Sequence, residues 1–72
     1  MTVLEILNNI KSDADFATSN DFFEEGLMDS FDIMVLVEAV EEAFDIEISG
    51  ADIVPDNFKT IEAIETLIEK YN

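Results

Sequence analysis

The chain has no cysteine, no histidine and no tryptophan, and only three lysines or arginines in 72 residues. Without cysteine there are no disulfides, no thiolate chemistry and no cysteine-ligated metal site. Without histidine the usual general base is missing, together with the triads built on it. Three basic residues against 18 acidic ones give a net charge of −15. Nucleic-acid binding needs clustered Lys and Arg, so it is excluded, and anionic membrane surfaces are disfavoured for the same reason. No stretch approaches the roughly 20 consecutive apolar residues of a spanning helix. The start, MTVLEILNNIKSD, lacks the basic and long apolar regions of a signal peptide. A cytoplasmic location without membrane insertion is expected.

What is present argues for a fold. Apolar residues make up 49% of the chain, too many for an acidic disordered tail. One domain is expected over residues 1–72. A chain of this size buries only about 60% of its unfolded surface, so the core is thin. Its self-repelling surface predicts a soluble monomer whose partners carry basic patches.

The elements follow from spacing. Val3, Leu4, Ile6, Leu7 and Ile10 recur as on one helix face, with Thr2 as cap, and predict a helix over 3–11. Residues 12–29 read as a long loop, a feature often tied to function. Phe16, Phe22, Phe23 and Leu27 are expected to pin it to the core. Asp29 is a suitable N-cap, with Asp32 three residues on. Nothing breaks a helix from Ser30 to Phe44. Phe31, Met34, Val37, Val40, Ala43 and Phe44 are expected on its inward face, widened by Leu36. Ser49 is expected to cap a short turn over Gly50–Val54, ended by Pro55. A last helix starts after Thr60 and runs to about Tyr71, with Ile61, Ile64, Leu67 and Ile68 inward. The expected architecture is an all-α, small four-helix bundle: three main helices, a short third helix and a long first loop.

The most informative stretch is Phe22-Phe23-Glu24-Glu25-Gly26-Leu27-Met28-Asp29-Ser30-Phe31-Asp32. It sets a serine at a helix start, directly after the long loop. Capping by Asp29 accounts for this locally. The sharper reading is that Ser30 displays its hydroxyl to another protein, where the helix dipole favours an attached phosphate. With no His or Lys close in sequence, Ser30 is not a self-activated nucleophile. It suits the role of substrate: a partner supplies the base, and Asp29 helps to hold that partner's metal ion.

Gly26-Leu27-Met28-Asp29-Ser30-Phe31 resembles the phosphopantetheine attachment motif of acyl and peptidyl carrier proteins. Glu41-Glu42-Ala43-Phe44-Asp45-Ile46-Glu47-Ile48 is similar to their second helix and exit loop, and Thr60-Ile61-Glu62-Ala63-Ile64 to the start of their last helix. The resemblance covers essentially the whole chain. It implies that Ser30 carries a 4′-phosphopantetheine arm, donated by coenzyme A through a separate magnesium-dependent phosphopantetheinyl transferase. The arm's thiol would hold acyl or aminoacyl groups as thioesters, so a protein without cysteine imports its thiol. Asp29 and Phe31 flank the attachment point. Asp32, Val35, Glu38, Glu41 and Glu42 would meet partner enzymes, the acids facing basic patches. Phe31 stands where fatty-acid carriers usually have Leu, and Val35 where they usually have Glu. Together with a longer 49–59 region, the wording resembles D-alanyl carrier proteins and related stand-alone carriers, which work with adenylating ligases.

Two rivals come from other classes. Residues 13–24 place acids at four positions of a twelve-residue calcium loop, but Ala17 and Thr18 occupy a ligand position and the turn-glycine position. An acidic mimic of nucleic acid is permitted by charge alone. Adjacent carboxylates such as Glu24/Glu25 do not face each other on a helix, and no deep pocket is expected, so no enzyme is read here. No protein metal site is expected either. The charge excess does generate one prediction: magnesium raises the thermal midpoint by screening self-repulsion, and an unchanged midpoint across a magnesium titration refutes it.

Overall fold

In the computed structural model, which describes residues 2–71, three α-helices form: α1 (Val3–Ile10), α2 (Ser30–Phe44) and α3 (Ile61–Lys70). The described residues contain no strand. Each helix starts on a side-chain cap. Thr2 Oγ1 accepts the Glu5 N–H at 3.2 Å, while Glu5 Oε1 accepts the Thr2 N–H at 2.8 Å. That bond from the Thr2 backbone, then the Thr2 side chain, hold the Glu5 carboxyl below its usual range. Asp29 and Asp32 form the same reciprocal box at α2, and Thr60 Oγ1 accepts the Ala63 N–H at 3.0 Å at α3. At the far end of α2, Asp45 adopts the left-handed conformation, φ 55°, and its N–H bonds back to Glu41.

The expected fourth helix is not an α-helix. Two three-residue 3-10 turns, Gly50–Asp52 and Pro55–Asn57, occupy the α2–α3 connection. Ser49 caps the first as expected, its Oγ accepting the Ala51 N–H at 3.3 Å. Pro55 does more than end it. It forces Val54 into an extended conformation and then opens the second turn, where its missing N–H costs nothing.

The core is wholly apolar: no polar or charged side chain is buried among the described residues. α1 packs on both α2 and α3, and α3 packs on the Pro55–Asn57 turn. From α1, Val3, Ile6 and Leu7 point inward; from α3, Ile64, Leu67 and Ile68. On α2 the inward face differs from the expected one. Ile33, Leu36, Val37 and Val40 are buried, whereas Phe31, Met34 and Ala43 are exposed. The reason is that every residue from Phe31 to Val37 except Asp32 is apolar, so two stripes satisfy helical spacing there. Packing against α1 selects the one spaced i, i+3, i+4, i+7.

The long first loop lies down on this core. Phe16 and Phe22 are buried and meet edge to face, with ring centroids 4.9 Å apart. The Phe22 N–H donates to the Lys59 carbonyl at 2.7 Å, tying the loop to the approach to α3. The Phe22 carbonyl accepts from Leu27 and Met28 at 2.8 and 3.1 Å. The loop therefore closes on itself around Phe22. The Cα radius of gyration, 11.0 Å, agrees with the ~11 Å of a folded chain this long, as it would not with a splayed loop.

Phe58, Ile48 and Met28 complete the core, and Phe58 is fully enclosed. Phe58→Ala is expected to cost about 3–5 kcal/mol. That is a large part of the total stability of a small domain. Phe31→Ala, on the exposed side of α2, is expected to change stability by no more than about 0.5 kcal/mol. Denaturant melts of the two variants check both; equal losses would contradict the packing described.

Candidate functional site

Ser30 is the first residue of α2 and is exposed. What precedes it explains why. Gly26 turns the chain with φ +76°, a conformation glycine adopts without strain, and its N–H closes on the Phe23 carbonyl at 3.2 Å. Leu27 is partly buried and Met28 buried, so the chain reaches Asp29 from within the core. Asp29 Oδ1 then accepts the Phe31 and Asp32 N–H groups, both at 3.0 Å. In return Asp32 Oδ2 accepts the Asp29 N–H at 3.2 Å. The Asp29 carboxylate is thus turned into the first turn of the helix rather than across the Ser30 hydroxyl.

A residue the sequence reading did not single out completes this corner. Lys11, just past the end of α1, places Nζ 2.8 Å from Asp32 Oδ2 and 3.1 Å from the Leu27 carbonyl oxygen. The Lys11 ammonium is the main cause that holds the Asp32 carboxyl below its ordinary range, and Asp32 in turn raises Lys11. No spacing rule links residues 11 and 32, so only the packing of α1 on α2 reveals the pair. The other two basic residues are also matched: Lys70 with Asp52 at 2.9 Å, Lys59 with Asp56 at 3.9 Å. No lysine is left for a polyanion.

The remaining candidates sort into two groups. Phe31, Met34 and Val35 are exposed by 76%, 57% and 39%, and Glu38 and Glu42 are exposed on the same outward side. At 100° per residue these five fall within about one third of the helix circumference, beside Ser30. Apolar groups occupy the turns nearest Ser30 and acids the turns beyond. Asp32 and Glu41 are different: both are partly covered and already engaged. Asp32 binds Lys11, and Glu41 Oε2 accepts the Ile48 N–H at 2.8 Å, fixing the exit loop. The free outward stripe therefore consists of Ser30, Phe31, Met34, Val35, Glu38 and Glu42, with Asp32 and Glu41 beside it but already bonded within the chain.

The loop considered for calcium is spent on its own turns. Thr18 donates to Asp15 at 2.7 Å, and Asp21 Oδ1 accepts from Phe23 and Glu24 at 3.0 and 3.1 Å. Among the described residues no three acidic side chains converge on a common cation position. No helix of the described residues is long and apolar enough to cross a membrane.

The corner fits a covalently tethered group. The hydroxyl stands on open surface at a helix N-terminus, where the dipole favours a phosphodiester, and one ammonium offsets the two flanking carboxylates. Three surface depressions lie elsewhere and none of them borders Ser30.

The phosphopantetheine attachment site family matches residues 2–68. No curated protein and no solved structure matches the chain significantly. The chain therefore belongs to the phosphopantetheine attachment site family, as a carrier protein of the acyl carrier type whose cofactor is covalently attached 4′-phosphopantetheine. Membership brings two kinds of partner in general terms, a phosphopantetheinyl transferase and synthase or ligase enzymes, and carrier domains of this kind are typically not catalysts themselves.

The Lys11–Asp32 bridge makes a pH prediction. Asp32 titrates below 3.8, so its contribution is present above that value and lost as pH falls through the lowered one. Lys11 titrates above 10.5, so its contribution is lost only as pH rises through the raised value. The coupling between Lys11→Met and Asp32→Asn in a double-mutant cycle of thermal stability is expected to be flat through neutrality and to vanish at both extremes. A coupling that disappears near neutral pH would contradict the bridge.

Proposed function

We propose that residues 1–72 act as a single carrier domain, that Ser30 is the attachment residue, and that the arm delivers acyl or aminoacyl thioesters to partner enzymes. The observation that carries this is the position of Ser30: first residue of α2, exposed, its neighbouring carboxylate committed to capping. The bound arm supplies a thiol at the end of a long flexible tether. The chain's own contribution is placement. Ser30 Oγ forms a bond to phosphorus of the coenzyme A pyrophosphate, its proton passes to a base of the transferase, and adenosine 3′,5′-bisphosphate leaves. The two flanking carboxylates, Asp29 and Asp32, are engaged in capping and with Lys11, which agrees with a base supplied by the partner.

Partner recognition falls to the outward stripe of α2. Phe31, Met34 and Val35 suit an apolar depression in the partner, and Glu38 and Glu42 suit basic side chains at its rim. Asp29, Asp32 and Glu41 serve this surface mainly by holding its shape. The apolar half beside Ser30 favours the stand-alone carriers loaded by adenylating ligases over the housekeeping fatty-acid carriers, whose surface is acidic at Val35.

Incubation with coenzyme A, magnesium and a phosphopantetheinyl transferase, followed by intact-mass measurement, tests the reading. One phosphopantetheinyl addition is expected on the wild type and none on Ser30→Ala. Addition to Ser30→Ala, or a wild type left bare by several competent transferases, refutes it.

A further inference from the structure

We propose that Lys11 is a positioning residue for loading of Ser30: its ammonium clamps the chain on both sides of the serine and thereby fixes the oxygen that receives the arm. The inference rests on Ser30 being the attachment residue. Its geometric basis is independent of that reading.

Two contacts of Lys11 join three capping bonds. Before the serine, the Leu27 carbonyl accepts from Lys11 Nζ at 3.1 Å. After it, Asp32 Oδ2 accepts from the same nitrogen at 2.8 Å. Asp32 also accepts the Asp29 N–H, and Asp29 accepts the Phe31 and Asp32 N–H groups. The six-residue run from Leu27 to Asp32 is therefore closed by one cation contributed from α1. Ser30 lies inside that closed run.

The setting makes the clamp consequential. Lys11 is one of only three basic residues, so nothing nearby can replace it. Without it, Asp29 and Asp32 face each other across one helical turn with no opposite charge, and the incoming phosphodiester adds another negative charge beside them. The capping bonds then hold the pair alone against that repulsion. The loop would be held less tightly to α2 at the residue that must be presented in line with a phosphorus atom. Misplacement of a reacting atom by about 1 Å can cost up to about a hundredfold in rate.

A charge effect and a positioning effect part in the kinetics. Transferase contacts that depend on overall acidity act on encounter, hence on KM; placement of Oγ acts on kcat. The test compares wild type, Lys11→Met, Lys11→Arg and Asp32→Asn, loaded by one transferase with coenzyme A and read by intact mass. In parallel, amide hydrogen exchange at Phe31 and Asp32 is measured on the unmodified proteins. Lys11→Met and Asp32→Asn are expected to lower kcat about tenfold with little change in KM. Lys11→Arg, which keeps a cation able to reach both oxygens, is expected to recover most of the rate. Exchange at the two amides is expected to quicken in Lys11→Met and to return towards wild type in Lys11→Arg.

Unchanged kcat, a loss confined to KM, or no recovery with arginine overturns the proposal, and so does unchanged exchange. If Lys11→Met does not fold, Asp32→Asn and Lys11→Arg carry the same comparison. A wild type that accepts no group defeats the Ser30 reading, and the exchange measurements then still decide the clamp.

Discussion

Everything outward-facing in this molecule depends on how the first turn of α2 is closed. A helix begins with N–H groups that lack partners, and here the segment before it is a long loop with little structure of its own. Asp29 and Asp32 bind each other's backbone, and Lys11 binds Asp32 together with the Leu27 carbonyl. Replacing a cap of this kind by alanine typically costs about 0.5–2 kcal/mol, which matters in so small a domain. The greater consequence is geometric. The corner sets where Ser30 stands and which way Phe31 and Met34 project, so the proposed attachment point and the proposed docking stripe share one mechanical origin.

The charge imbalance gives that corner its character. With 18 acids and three lysines, most carboxylates have no cation to pair with and stay exposed. The chain spends each lysine on a contact between segments distant in sequence, or on a nearby turn. Lys11 joins α1 to α2. Lys70 joins α3 to Asp52 in the first 3-10 turn, where the Tyr71 hydroxyl also donates to Asp52 and accepts the Ser49 N–H. Lys70 and Tyr71 thereby pull Asp52 below its ordinary range, the tyrosine hydrogen bond being the larger cause. Two of the three cations thus act as cross-links in a chain without cysteine and hence without disulfides. What remains outside is an almost purely negative field, suited to brief encounters with basic partners at rates raised by steering.

The sequence disclosed the parts that obey local rules. Capping chemistry marked Thr2, Asp29, Ser49 and Thr60 correctly, because a cap is decided within three or four residues. The bounds of α1 and α3 came within a residue for the same reason. The inward face of α2 did not, because a run of apolar residues gives periodicity nothing to choose between. Phe31 and Met34 lie outside and Ile33 inside. Phe58 carried no local signal, yet it is enclosed, since burial there depends on α3 folding back over it. Lys11 was invisible for a deeper reason. Its partner lies 21 positions away on another helix, and in a chain read one segment at a time a lone lysine is merely a solvated end.

The two apolar stripes of α2 have different fates: one holds the helix to α1, the other remains in water. Keeping Phe31, 76% exposed, beside an acidic surface has a cost in solvation that burial within this chain does not repay. On the proposed function, the compensation lies in a complex, where an apolar contact adjoining Ser30 would strengthen binding only when the tether is also within reach. On that proposal the acids further along α2 would draw a partner in, and the apolar turns would decide whether it fits. A helix so divided would be approached quickly by many enzymes and held by few, which is the demand placed on a carrier that must leave each partner after every transfer.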